Sequence, residues 1–154
     1  MKQTILALLM FAVVLSIGAQ TPVTIKTVPT VSERWKPGYF PISDAVIYTD
    51  AKDYKVVDIT AHMLADDVDR VTGRHPQVTT ATSVKSIPKG VSVAVGTVGK
   101  SRLIEELVRE KAIDVSAIKG KWESFVVTTI ERPKQGGQLL VIAGSDRCGT
   151  AFGL

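Results

Sequence analysis

Residues 55–76 leave little choice of local structure. Val57, Ala61, Leu64, Val68 and Val71 recur at spacings of 4, 3, 4 and 3. That holds them within about 40° of one line on a helix of about 3.6 residues per turn. Gly73 stands where a C-terminal cap belongs, and Pro76 forbids continuation. One apolar stripe needs one surface to lie on. The flanking segments supply it as strands, so the helix predicts a layered α/β fold.

Ala45 to Thr49 is β-branched and aromatic, and reads as a strand that ends in the polar turn Asp50 to Asp53. Val78 opens a short second strand. Residues 80–90 read as a polar loop. Val91 to Val95 is a third strand, expected to stop at Gly96. A second helix is predicted from Ser101 to Lys111, burying Leu103, Ile104, Leu107 and Val108, with Glu105 and Arg109 spaced to pair on its surface. Ser124 to Glu131 and Gln138 to Ala143 are two further strands joined by a hairpin-like Pro133–Gly137 connection. The order is β-α-β-β-α-β-β and then the first turn of a helix. The expected fold class is α/β, a small mixed-sheet sandwich with two main helices. No internal repeat interrupts it.

Residues 1–19 have the form of a signal peptide: Lys2, an apolar run from Ile5 to Ile17, and Ile17-Gly18-Ala19 before Gln20. The run is short for a membrane span of about 20 residues, so a cleaved leader and a periplasmic or secreted address are expected, with no membrane attachment afterwards. Residues 20–44 hold four of the seven prolines and read as an extended lead-in, with the accessory domain proper over 45–154. Trp35, Tyr39 and Phe40 in that lead-in are expected to clamp it to the domain or to a neighbour, with stacking on a sugar ring as the alternative. The net charge of +4 is scattered and forms no basic stripe, which argues against nucleic acid as a partner. One cysteine allows no internal disulfide, and the absence of Asn leaves no N-glycosylation acceptor.

Several residue sets carry possible chemistry. Ala94-Val95-Gly96-Thr97-Val98-Gly99-Lys100-Ser101 follows the relaxed phosphate-loop pattern between a strand and a helix. No strand ends in a convincing magnesium-binding Asp, and export removes the chain from nucleoside triphosphates. A glycine-rich turn with Ser101 at the helix start is the expected role; nucleotide binding through Ala94 to Ser101 is the alternative. Asp58, His62 and Asp66 lie at i, i+4 and i+8, a spacing that can align metal ligands, but on the solvated face of the first helix. Cys148 lacks a base that the sequence can place beside it. Glu123 and Asp146 are possible members of a carboxylate pair. No cofactor set, no metal set and no catalytic residue is assigned.

Taken in order, Tyr39-Phe40-Pro41-Ile42 leading into Ala45 to Thr49, then Asp53 to Val57, Leu64 to Pro76, Val95 to Ser101, Ile118-Lys119-Gly120-Lys121-Trp122-Glu123-Ser124-Phe125 and Val141 to Thr150 resemble the N-terminal domain of glycoside hydrolase family 115, the xylan α-1,2-glucuronidases. The resemblance covers nearly all of the chain after residue 19. It implies a whole enzyme that releases glucuronic acid or its 4-O-methyl ether from xylan or glucuronoxylan. Its catalysis would sit in a (β/α)8 barrel following this domain, the partner that this domain would pack against. The catalytic carboxylates would then lie beyond this chain. Residues 138–154, an apolar strand and a helix just begun, fit a front domain cut at its exit. Asp146 and Arg147 are the residues expected closest to substrate, and Gly149, Thr150 and Gly153 are expected to make a tight passage into the barrel. Cys148 stands where the resemblance implies a basic residue. A free-standing carbohydrate-binding or interaction module is the other reading.

Overall fold

A computed structural model describes residues 40–132 and 136–154. The signal-peptide segment, most of the lead-in, Trp35 and Tyr39 lie outside the described residues. Five strands form one sheet, with β1 Val46–Thr49, β2 Gln77–Thr80, β3 Ser92–Thr97, β4 Phe125–Glu131 and β5 Gln138–Gly144 in the spatial order β2-β1-β3-β5-β4. The first four neighbours run parallel and β4 runs antiparallel to β5. Three α-helices accompany them: α1 Lys55–Thr72, α2 Arg102–Arg109 and α3 Arg147–Phe152. The expected α/β class, mixed sheet and two substantial helices are all present.

Each face of the sheet has its own core. Ile47, Val93, Val95 and Ile142 lie under Val57, Ala61 and Ala65 of α1. Tyr48, Ala94, Leu139, Val141 and Ala143 lie under Leu103, Ile104 and Leu107 of α2. β3 is buried along its whole length, as a central parallel strand covered on both sides must be. The connection residues Ile113, Val115 and Ile118 also pack beneath α2.

The boundaries correct several expectations. α1 ends on Gly73 at φ 68, as its capping position predicts. Its buried line is Val57, Ala61, Ala65 and Val68, whereas Leu64 is half-buried and Val71 is 82 % exposed. Ala61 and Ala65 are both at 0 % exposure, so the face of α1 against the sheet is centred toward Ala65 rather than Val71. Gly96 does not stop β3: a Cβ there would collide with the Ser101 side chain, so glycine lets the start of α2 lie against the strand. α2 ends at Arg109 rather than Lys111. Lys111 takes φ 56 and its N–H reaches Val108 O (3.0 Å), while the Ala112 N–H reaches Leu107 O (2.9 Å). Glu105 does not pair with Arg109; it accepts the Gly99 N–H at 2.7 Å. The 80–90 loop is not merely polar. Ala81, Val84 and Ile87 are buried in the core under α2, and the Glu106 carboxylate accepts Val84 N–H (2.7 Å) and the Ser83 hydroxyl (3.1 Å). In the lead-in, Phe40 and Ile42 pack on the α1 core and Ile42–Asp44 forms a 3-10 turn.

Candidate functional site

β1 hands the chain to α1 on one face of the sheet, and β3 hands it to α2 on the other. The strand order reverses between these neighbours. In an open, mainly parallel sheet, the crevice outside the carboxyl ends of two such strands is where ligands bind. The residues at that edge are Asp50 and Asp53 after β1, Thr97 to Arg102 after β3, and Gly144 to Thr150 after β5.

The chain fills this crevice with its own side chains. The Asp50 carboxylate accepts the Arg102 backbone N–H (2.7 Å), the Arg102 Nε–H (2.7 Å), an Arg102 Nη2–H and the Lys52 N–H (2.9 Å). Its side chain is fully buried, whereas the Arg102 guanidinium remains partly in solvent. The hydrogen-bonded guanidinium holds the Asp50 carboxyl at about 2, against the opposing effect of burial. Asp53 accepts the Thr97 N–H (2.7 Å) and the Tyr54 N–H (2.7 Å). Burial pushes its carboxyl upward, the two N–H bonds oppose that, and the nearby Asp50 charge adds to it. Ser101 caps α2 through its hydroxyl, which accepts the Ile104 N–H.

This geometry decides what the phosphate-loop-like segment does. Thr97 N–H goes to Asp53, Val98 N–H to Gly144 O, Gly99 N–H to Glu105, Lys100 and Ser101 N–H to Thr97 O, and Arg102 N–H to Asp50. A phosphate cradle needs these amides free and converging. Here three of the amides are taken by the carboxylates of Asp50, Asp53 and Glu105 and three by backbone carbonyls. The Lys100 ammonium lies 5.2 Å from the Tyr54 ring centre, a cation–π contact between the turn after β3 and the turn after β1.

No known family model matches the chain, and no curated protein matches it.

The other sequence-selected sets are dispersed or engaged. On α1, His62 Nδ1 lies 2.8 Å from Asp58 O, and Asp66 pairs instead with His75 (3.1 Å). Among the described residues, no three His, Cys, Asp or Glu side chains converge as a metal site would require. Asp146 and Glu123 do meet, but through the backbone. Asp146 caps α3 by accepting the Gly149 N–H (2.7 Å) at one oxygen and takes the Glu123 N–H (2.9 Å) at the other. These N–H groups hold its carboxyl below the usual range. The Glu123 side chain and Arg147 are exposed, and Cys148 is half-buried. Gly149 and Gly153 let α3 lie directly on the sheet: a Cβ on Gly149 would strike the Ser124 backbone, and one on Gly153 would meet Ile142 and the Phe125 ring.

Asp50, Asp53 and Arg102 were not singled out by sequence reasoning. The available signal was an Asp-x-x-Asp turn immediately after a strand and before a helix, which places both acids at the sheet's carboxyl edge. Trp122 carries no spacing signal of its own in the sequence. It is 81 % exposed on a turn whose next residue, Glu123, takes φ 52. Among the described residues, no helix is long and apolar enough to cross a membrane.

Proposed function

We propose that this chain is the N-terminal, non-catalytic α/β domain of an exported glycoside hydrolase of the xylan α-1,2-glucuronidase type, with the chemistry in a following (β/α)8 barrel. One observation carries the non-catalytic reading. The crevice where an open α/β sheet would hold a ligand is occupied by Asp50, Asp53 and Arg102, and the amides beside it are already bonded. The domain's work is then to pack and to position. Its leader would carry the enzyme to a polymer that cannot enter the cell. The chain alone is expected to release no glucuronic or 4-O-methylglucuronic acid from glucuronoxylan, and the product of the coding sequence extended past Leu154 to release it. Uronic acid release by the isolated chain, or an extended product without a barrel, would reject the proposal.

A second reading, a carbohydrate-binding module, is favoured by Trp122. An exposed indole on a hydrogen-bonded turn, beside exposed Lys121 and close to Arg147 through the Glu123–Asp146 bond, suits stacking on an acidic sugar. Saturable binding of glucuronoxylan by the chain, lost in Trp122→Ala, would support it. A flat titration would remove it.

A further inference from the structure

Among the described residues, β4 is an edge strand whose outer side has no partner in the sheet. Its pairing with β5 shows which of its backbone groups face outward. At the two ends, Ser124 O accepts the Ser145 N–H and the Arg132 N–H reaches Gly137 O. These pairs share the register that opposes Phe125 to Gly144 and Glu131 to Gln138. Bonded and non-bonded pairs alternate along an antiparallel ladder. Even-numbered residues of β4 therefore bond to β5, while Phe125, Val127, Thr129 and Glu131 direct their N–H and C=O groups away from the sheet. The same four side chains are the exposed ones on this strand.

Protected edges are short, or carry lysine, proline or a bulge. The opposite edge follows that rule: β2 has four residues and begins directly after Pro76. β4 has seven residues, Phe-Val-Val-Thr-Thr-Ile-Glu, without lysine or proline. Phe125 and Val127 are 44 % and 48 % exposed, and Phe152 of α3 adds to the uncovered apolar surface.

We infer that the outer edge of β4 is a strand-pairing site for a second copy of this chain, joined antiparallel about Thr128. A two-fold axis through Thr128 sets Val127 opposite the partner's Thr129 and Phe125 opposite the partner's Glu131. All four outward residues then fall in positions that exchange hydrogen bonds, so the free N–H and C=O groups satisfy one another. The half-buried side chains match as well, with Val126 opposite the partner's Ile130 and Thr128 opposite its own copy. Charge agrees with the antiparallel sense. Glu131 closes one end of the strand, and exposed Lys121 and Arg147, neither in an ion pair among the described residues, flank the other end. The result is a continuous sheet with a closed, isologous interface. This inference is independent of the glycoside hydrolase reading.

Sedimentation velocity on the whole chain tests it across a range of concentrations. A monomer–dimer equilibrium is expected. It should be lost in Val127→Lys, which charges the edge, and in Thr129→Pro, which removes one outward N–H and no bond to β5. Circular dichroism of each variant checks that the domain still folds. The register has its own readout in a Cys148→Ser background. Thr128→Cys faces itself across the axis and should form a disulfide-linked dimer on mild oxidation, whereas Val126→Cys faces the partner's Ile130 and should not. A chain that stays monomeric, or that takes up only a strand from a different protein, overturns the inference. So does association indifferent to both edge variants, or equal cross-linking at positions 126 and 128.

Discussion

Thr97 and Thr150 join their hydroxyls at 2.8 Å across 53 residues of sequence, and both side chains are buried. The bond ties the end of β3 to the middle of α3. Thr150 Oγ1 also lies 2.9 Å from Asp146 O, to which it donates, leaving the Thr97 hydroxyl to donate to Thr150. Gly144 makes this possible, because a Cβ there would overlap the Thr150 backbone. α3 is thereby fastened to the sheet by two hydroxyls and a missing methyl.

Thr150→Val keeps the shape of the side chain and removes both of its bonds. The Thr97 hydroxyl is then left buried without its acceptor, which costs about 1–3 kcal/mol. Thr97→Val together with Thr150→Val should lose less than the sum of the single changes. Urea unfolding of the four proteins of the cycle measures the coupling, and strict additivity would mean that the two hydroxyls act separately.

Gly149→Ala places a methyl on the Ser124 backbone. The helix has to lift from β4 or the strand has to shift, at a cost of about 1–3 kcal/mol. Faster amide exchange should be confined to α3 and the Ser124 region, while β1 and β3 keep their protection. Unchanged exchange in α3 would show that the contact relaxes easily.

The Asp50–Arg102 pair predicts the acid limb of the stability curve. The folded Asp50 carboxyl titrates at about 2, below its ordinary value of 3.8. A depressed carboxyl adds stability that is present above the ordinary value and is lost as pH falls toward the folded one. The contribution is at most about 2.5 kcal/mol, and less after screening at the partly exposed guanidinium. Asp53, shifted upward, works in the opposite sense over the range just above 3.8. Asp50→Asn should therefore flatten the loss of stability between about pH 4 and pH 2. Thermal melts across that range measure it, and an unchanged acid limb in the variant would refute the assignment.

Lys111 occupies the left-handed position after α2, where glycine is usual, at φ 56. Its side chain is exposed, so nothing there offsets the backbone cost. Lys111→Gly is expected to raise stability by about 1 kcal/mol. A loss on substitution would mean that the lysine side chain makes a contact worth more than the strain.

Much of the fold is legible in the sequence alone. Apolar periodicity placed α1 and α2, β-branched runs placed the strands, and Gly73 with Pro76 marked a real helix end. The errors came where two distant segments meet. Gly96 looks like a strand terminator until Ser101 is seen against it. Val71 belongs to the helical stripe by spacing, yet contact with the sheet selects Ala65 instead. Glu105 has a helix neighbour of opposite charge, but a nearby unpaired amide at Gly99 is the better partner.

The candidate site was less legible still. Its decisive bonds join Asp50 to Arg102 and Asp53 to Thr97, over 52 and 44 residues. The sequence by itself determined the element order and the α/β class, because both follow from local spacing of apolar residues. Only the tertiary structure decided the fate of the Gly96–Ser101 loop. Whether its amides face a ligand or a carboxylate of the same chain depends on which strands become neighbours. With β1 beside β3, Asp50 and Asp53 reach those amides first.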